Sequence, residues 1–197
     1  MPGPQAVART TVDAVMAAAR AASFTRRSIK TSAKLAGLRL ALSMLDLTTL
    51  EGKDSPEKIR ALCRKAVAPD PADPSLPMAA AVCVYPSMVG VAREALGGAG
   101  VKDAAVATGF PSGQYPIEVR LEDARRAIDA GADEIDMVIN RGAFLAGRYE
   151  EVAEEIRGVK RLVMECGRER GRAIALKVIL ETGELETLDN VRFASDL

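Results

Sequence analysis

The chain has 197 residues, with 27 Lys and Arg against 27 Asp and Glu, no His, and a formal net charge of zero. A neutral chain offers no basic excess to neutralise the phosphates of a nucleic acid, so a nucleic-acid partner is not expected. Apolar residues make up 48% of the chain, as in ordinary globular domains, yet no apolar run reaches the roughly 18 residues of a membrane-spanning helix, so no membrane partner is expected.

Residues 1–37 are predicted to form a helical N-terminal extension. The first forty residues contain one acid, Asp13, among several Arg and Lys. Val12, Val15, Met16 and Ala19 recur at helical spacing, which favours a helix. A leader rich in Arg and poor in acids is also typical of a transit peptide, and that alternative stays open beside the expected cytoplasmic location.

Residues 38–197 are predicted to form a second unit, in which short β-type runs alternate with longer helical segments. Such alternation is typical of a parallel sheet with right-handed crossovers. Strands are predicted over residues 44–48, 80–85, 104–110, 134–140 and 173–180. Helices are predicted over residues 55–67, 87–96, 116–130, 149–168 and 187–196.

The fifth predicted strand carries an unusual lysine. Lys177 shares one face of the strand with Ala173 and Ala175, while Ile174, Leu176, Val178 and Leu180 take the other. Lys is depleted in strands and is almost never fully buried without a partner. One interpretation is an apolar stem whose amine reaches the rim. The other is a desolvated amine with a lowered pKa, suited to form a Schiff base.

The earlier strands carry further polar candidates. Asp136 and Asn140 are predicted on one face of the fourth strand, where Asp136 is either half of a structural ion pair or an acid/base group near Lys177. Cys83 is read either as a small buried hydrophobe or as a site residue. Asp46 is read either as a cap acting through Thr48 and Thr49 or as a site residue.

Metal and disulfide chemistry are not expected from the residue types present. The absence of His removes the commonest general base and the commonest metal ligand. The three Cys are odd in number and widely spaced, which argues against a disulfide framework or a zinc site and favours a reducing compartment. Acid/base chemistry would therefore use Asp, Glu, Lys, Tyr or Cys.

Five segments, in this order and with this spacing, resemble the deoxyribose-phosphate aldolase family. They are MLDLTTL at 44–50, VCVYP at 82–86, TGFPSG at 108–113, GADEIDMVIN at 131–140 and LKVILETGEL at 176–185. The resemblance implies an α/β fold of the TIM (β/α)8 barrel type, incomplete, with about five of the eight βα units. It also implies that no metal and no organic cofactor is needed.

The resemblance further implies site residues and a reaction. Lys177 matches the Schiff-base lysine and Asp136 the acid/base aspartate. The implied reaction is the reversible cleavage of 2-deoxy-D-ribose 5-phosphate to glyceraldehyde 3-phosphate and acetaldehyde, small molecules that would be the partners. The positions that match substrate-lining residues are Asp46, Thr48, Cys83 and Phe110.

Three alternatives stay open. The family's barrel continues beyond the last matched segment, so the chain is expected to be truncated relative to it, and a second proton-relay lysine and phosphate-binding loops are not found here. A catalytically impaired fragment that only associates is therefore one alternative. A second is a phosphosugar isomerase or epimerase that uses carboxylates without a Schiff base. Assembly into a homo-oligomer is also left open.

Overall fold

The computed structural model of the chain describes residues 10–197. The first nine residues of the predicted extension lie outside the described residues. In the described part, five strands form one parallel sheet in the order in which they occur along the chain. The strands are β1 (Asp46–Thr48), β2 (Ala81–Val84), β3 (Lys102–Ala107), β4 (Glu134–Val138) and β5 (Ala175–Ile179).

All five helices predicted between and after the strands are present, with ends within three residues of the expected ones. The structure adds a short helix, α6, and divides the extension into two helices. The helices are α1 (Ala14–Thr25), α2 (Thr31–Leu42), α3 (Pro56–Val67), α4 (Val89–Leu96), α5 (Ile117–Ala130), α6 (Arg141–Leu145), α7 (Tyr149–Glu169) and α8 (Leu188–Asp196). Two 3₁₀ turns cover Pro86–Met88 and Thr182–Leu185.

Local sequence signals explain several of these helix ends. Ser55 caps α3 by accepting a hydrogen bond from the Lys58 N–H, and Pro56 suits the first turn because it has no N–H to satisfy. Helices α4 and α5 end at Gly97 and Gly131, both in the left-handed region that glycine adopts without strain.

The main hydrophobic core lies between the sheet and helices α3, α4, α5 and α7, all on one side. Alternate strand residues such as Val82, Ala105, Ile135 and Met137 point into this layer, as the alternation of side chains along a strand requires. The opposite face, which we call the inner face, carries a smaller cluster around Ala81, Cys83, Ala104 and Val106. The predicted α/β class and the consecutive order of parallel strands are confirmed.

Within residues 10–37, the described part of the predicted extension, the structure has helix α1 and the first part of α2, and neither helix buries any of its residues. Helix α2 runs through residue 37, so the proposed division between residues 37 and 38 falls inside a helix. Over residues 10–197, no helix has the length and apolar character needed to cross a membrane.

Two predicted strand ends are wrong for a local reason. The fourth strand ends at Val138, before Asn140, because the Asn140 side chain accepts a hydrogen bond from the Ala143 N–H and caps α6. The third strand ends at Ala107, because Thr108 and Gly109 turn into the left-handed region, with φ of 64° and 75°. Asn140 therefore does not share the strand face of Asp136.

Candidate active site

The amine of Lys177 is held by three carboxylates on the inner face of the sheet. Lys177 Nζ lies 2.5 Å from Asp46 Oδ2, 2.9 Å from Glu134 Oε2 and 3.2 Å from Asp136 Oδ1. We call Asp46, Glu134 and Asp136 the carboxylate cluster. The Lys177 side chain is 38% exposed and that of Asp136 is 12% exposed, so the amine is more accessible to solvent than the Asp136 carboxylate.

The register of the strands accounts for these contacts. Asp136 and Lys177 are direct partners on adjacent strands, and Glu134 lies two residues earlier on the same face of β4. Glu134 is paired with Ala175 on one side and Ala104 on the other, and these small side chains leave room beside it. Asp46 comes from β1, the opposite edge of the sheet, and reaches Lys177 because the sheet is curved.

The electrostatics of Lys177 contradict one expectation from the sequence. Burial of the amine lowers its pKa, but hydrogen bonds to Asp46 and Glu134 and the charge of Asp136 outweigh burial. The net result is a raised pKa for Lys177, so the amine is a stabilised ammonium in this structure. The interpretation that apolar surroundings lower the pKa of Lys177 is therefore wrong. It was drawn from the neighbours of Lys177 along β5, whereas the carboxylates that raise the pKa lie on β1 and β4.

Asp136 is the most buried member of the carboxylate cluster and also contacts Cys83. Burial raises the pKa of Asp136, although the Lys177 ammonium and the Cys83 thiol oppose the rise. The Cys83 Sγ donates to Asp136 Oδ2 at 3.5 Å, and burial together with the Asp136 charge raises the pKa of the Cys83 thiol to about 12. Cys83 is therefore a neutral, buried thiol that contacts the carboxylate cluster.

Thr48 and Phe110, the other two predicted site residues, lie near the carboxylate cluster but contact other groups. The Thr48 hydroxyl donates to the Asp46 backbone carbonyl at 3.3 Å. Phe110 follows β3, packs against the inner-face cluster and makes an edge-to-face contact with Tyr85, with ring centroids 6.3 Å apart. Asp46 does not act as the cap suggested by the sequence, because Thr49 bonds to Asp54 instead. The substrate-binding roles of Thr48 and Phe110 stay predictions.

A cavity of about 500 Å³ lies beside Phe110, between the ends of β2 and β3 and helix α5. Neither Lys177 nor any member of the carboxylate cluster lines it, so the cavity and the amine are separate features. The amine, and not the cavity, defines the candidate site, because it brings together the groups that could carry chemistry. The polar lining residues of the cavity are Tyr85, Tyr115, Glu122, Asp123 and Arg126.

A buried arginine forms hydrogen bonds with the backbone at the ends of β3 and β4, beside this site. Arg120 of α5 is fully buried and donates to the carbonyls of Thr108 and Val138, each at 3.0 Å. Its Nη1 lies 2.7 Å from Glu155 Oε1, which supplies the opposite charge. The Thr108 hydroxyl bonds both the N–H and the carbonyl of Val138. These contacts hold a threonine with φ of 64°, a strained conformation for a β-branched residue.

Two residues of this region, Glu134 and Arg120, were not predicted from the sequence, although the pattern around each of them contains a signal. Glu134 shares its strand face with Asp136, so strand alternation already placed a second acid beside the first. Arg120 falls on the apolar stripe of α5 with Ala124, Ala127 and Ile128, where a charged residue needs a partner. The partner could not be identified in advance, because it lies on the separate helix α7.

The arrangement places one primary amine beside a buried carboxylate with a raised pKa. An amine that loses its proton can attack a carbonyl carbon, and a nearby carboxyl group can move protons during that reaction. Asp136 occupies the position for the second role, since its Oδ1 contacts the amine. The described inner face thus places a primary amine, which could act as a nucleophile once deprotonated, beside a carboxyl group that could move protons.

Comparison with known proteins gives a consistent family match. The family model described as "DeoC/LacD family aldolase" matches residues 40–190. Deoxyribose-phosphate aldolase of Homo sapiens is 44% identical over 180 residues, which cover 86% of this chain and 54% of that protein. The Mus musculus protein of the same name is 43% identical with the same coverage. The chain thus spans about half the length of the curated relatives it matches.

A solved structure shares the fold. The tetrameric structure of deoxyribose phosphate aldolase from Aeropyrum pernix has a TM-score of 0.57 to this chain and 29% sequence identity. The match covers 79% of this chain and 61% of that chain. The five parallel strands and their helices therefore correspond to part of a barrel found in solved aldolases.

Proposed function

Because the chain belongs to the DeoC/LacD family of aldolases, we propose that it carries the imine-forming part of a class I aldolase site. The proposed reaction is the reversible cleavage of 2-deoxy-D-ribose 5-phosphate to glyceraldehyde 3-phosphate and acetaldehyde. The observation that supports it best is the contact between the Lys177 amine and the buried Asp136 carboxylate, 3.2 Å apart on adjacent strands.

In the direction of synthesis, neutral Lys177 Nζ attacks the carbonyl carbon of acetaldehyde and forms a carbinolamine. Loss of water from the carbinolamine leaves an iminium ion. The cationic nitrogen makes the adjacent methyl group acidic, and Asp136 takes one of its protons to give an enamine. The enamine carbon then bonds to the aldehyde carbon of glyceraldehyde 3-phosphate, whose oxygen takes the proton back from Asp136 and becomes a hydroxyl group. Water hydrolyses the new iminium to release the sugar phosphate and the free amine.

The pKa shifts of Asp136 and Lys177 determine how well each group performs its proposed step. Burial raises the pKa of the carboxyl, which makes it a better proton acceptor than an exposed aspartate. The Lys177 amine must be neutral when it attacks, and its raised pKa makes the neutral fraction small. Imine formation is therefore expected to accelerate as pH rises, up to the pH at which the chain unfolds.

Deuterium exchange tests the imine and enamine steps without needing the sugar phosphate. Acetaldehyde is incubated with the chain in D₂O, and loss of its methyl protons is followed by NMR. The chain should accelerate exchange, Lys177→Met should reduce it to the background of the exposed lysines, and Lys160→Met on the exposed face of α7 should leave it unchanged. Asp136→Asn should slow exchange about 100-fold, because Asn cannot take the proton.

The same experiment separates the competing functions. Exchange that persists in Lys177→Met would contradict the proposal and favour carboxylate chemistry without a Schiff base. Exchange at the background rate in the unmodified chain would favour a polypeptide that only associates. Release of acetaldehyde from 2-deoxy-D-ribose 5-phosphate, measured with the same variants, then tests the proposed substrate.

A further inference from the structure

Glu134 and Asp46 are the two members of the carboxylate cluster that the proposed chemistry leaves without a role, and Glu134 is the one that lies on the same strand as Asp136. It begins β4, its side chain is 21% exposed, and its Oε2 lies 2.9 Å from Lys177 Nζ. Asp136 is the group placed to move the substrate proton, and Asp46 approaches the amine from the far edge of the sheet. Glu134 contacts the amine from the start of β4, on the same side of the sheet as both.

The surroundings of Glu134 direct its carboxylate toward the amine. Its register partners on the inner face are Ala104 and Ala175, whose methyl groups leave space on both sides. Lys177 is two residues beyond Ala175, so the Glu134 side chain has to extend diagonally across the strand pair to reach Nζ. A glutamate is long enough for this diagonal contact, whereas an aspartate at the same position would be one methylene shorter.

We propose that Glu134 is a positioning residue that holds the charged Lys177 amine on the inner face beside Asp136. This inference rests on the proposed function, because it assigns a purpose to the placement of that amine. Glu134 does not touch the aldehyde and acts only through Lys177. Its negative charge favours the ammonium over the neutral amine, and the hydrogen bond to Glu134 is one of the contacts that raise the pKa of Lys177.

The consequence is a resting site in which the amine is well placed but mostly protonated. Removing the Glu134 charge while keeping the shape should increase the neutral fraction of the amine. One pKa unit changes that fraction tenfold below the pKa. If the loss of this one charged contact lowers the pKa of Lys177 by about one unit, Glu134→Gln should make Lys177 about tenfold more reactive at a fixed pH.

Trace acetylation with acetic anhydride measures this reactivity without relying on aldolase chemistry. Each lysine is quantified by peptide mass spectrometry over a range of pH in the folded chain. Glu134→Gln should raise the acetylation rate of Lys177 about tenfold and leave Lys58 unchanged. Glu134→Asp, which keeps the charge at a greater distance, should fall between the unmodified chain and Glu134→Gln.

Glu51→Gln is the matched control, because Glu51 contacts the exposed amine of Lys58 at 3.2 Å. It should change the reactivity of Lys58 and leave that of Lys177 unchanged. An unchanged Lys177 rate in Glu134→Gln would overturn the role of Glu134. Failure of the proposed function appears separately, as absent deuterium exchange in a chain whose Lys177 acetylation still responds to Glu134.

Discussion

Asp46 Oδ2 and Lys177 Nζ are 2.5 Å apart, although the two residues lie on the first and last strands of the sheet. In a flat sheet, four strand spacings would separate them by about 19 Å. The contact therefore requires the sheet to curl until its two edge strands face each other across the inner face. That curvature brings an acid of β1 into the same cluster as the acids of β4, and it creates the site.

Arg120 is expected to be the most important charged residue for the stability of this region. Arg120→Met should lower the free energy of unfolding by about 3 kcal/mol, because it leaves Glu155 without its partner and removes the bonds to Thr108 and Val138. Arg126→Met in the same helix should have a far smaller effect, since the Arg126–Glu122 pair is exposed. Urea unfolding of both variants provides the measurement, and equal losses would contradict the assignment.

Asp103 should make stability depend on pH. Its carboxylate is 1% exposed, and neither of its oxygens has a hydrogen-bond partner among residues 10–197. Burial, together with the charge of Asp133, raises its pKa from 3.8 to about 7. The unfolded chain loses this proton near pH 4 and the folded chain near pH 7, so the contribution of Asp103 to stability is greatest below pH 4 and falls until about pH 7.

Asp103→Asn should remove this pH dependence. At pH 8 the variant should be more stable than the unmodified chain, by on the order of a few kcal/mol, because no charge has to be buried. Thermal unfolding between pH 5 and pH 9 gives the comparison, and Glu118→Gln on the exposed side of α5 serves as the control. A variant that is less stable than the unmodified chain at pH 8 would show that the Asp103 charge has a partner after all.

The three free thiols should be unreactive in the folded chain. Cys63, Cys83 and Cys166 are all buried, and burial raises the pKa of Cys63 to about 11 and that of Cys83 to about 12. A disulfide reagent at pH 8 should therefore modify the thiols only at the rate of unfolding, and all three should react once urea is added. Rapid modification of Cys83 in the folded chain would mean that the carboxylate cluster is more open than described.

The order of the strands could be predicted from the sequence, because the signals for each strand and helix lie within that element. Alternation of β-type runs with capped helices repeats five times, and each cap or glycine acts within a few residues of its own helix. Strand alternation also placed Lys177 and Asp136 on one face correctly. Asp46 and Cys83 were candidates from the sequence as well, and the structure places Asp46 against Lys177 and Cys83 against Asp136.

The charge state of Lys177 could not be predicted in the same way. Its neighbours along β5 are apolar, which suggested a lowered pKa, whereas its neighbours in space are acids from β1 and β4. The curvature of the sheet determines which acids approach the amine, and no local pattern encodes that curvature. The cap at Asn140 was missed for a smaller reason, since helix α6 is only five residues long.

Lys177 is proposed as the amine that forms the imine, and Lys58 provides an internal comparison. Lys58 Nζ also contacts two carboxylates, Asp54 at 2.6 Å and Glu51 at 3.2 Å, and a hydrogen bond to Asp54 raises its pKa, but it lies outside the inner face. The folded chain is treated with acetaldehyde and borohydride, and the reduced adduct is mapped by peptide mass spectrometry. Lys177 should be labelled faster than Lys58 at the same pH, because Asp136 assists proton transfer only at Lys177. Labelling of Lys58 as fast as, or faster than, Lys177 would contradict the assignment of the imine to Lys177.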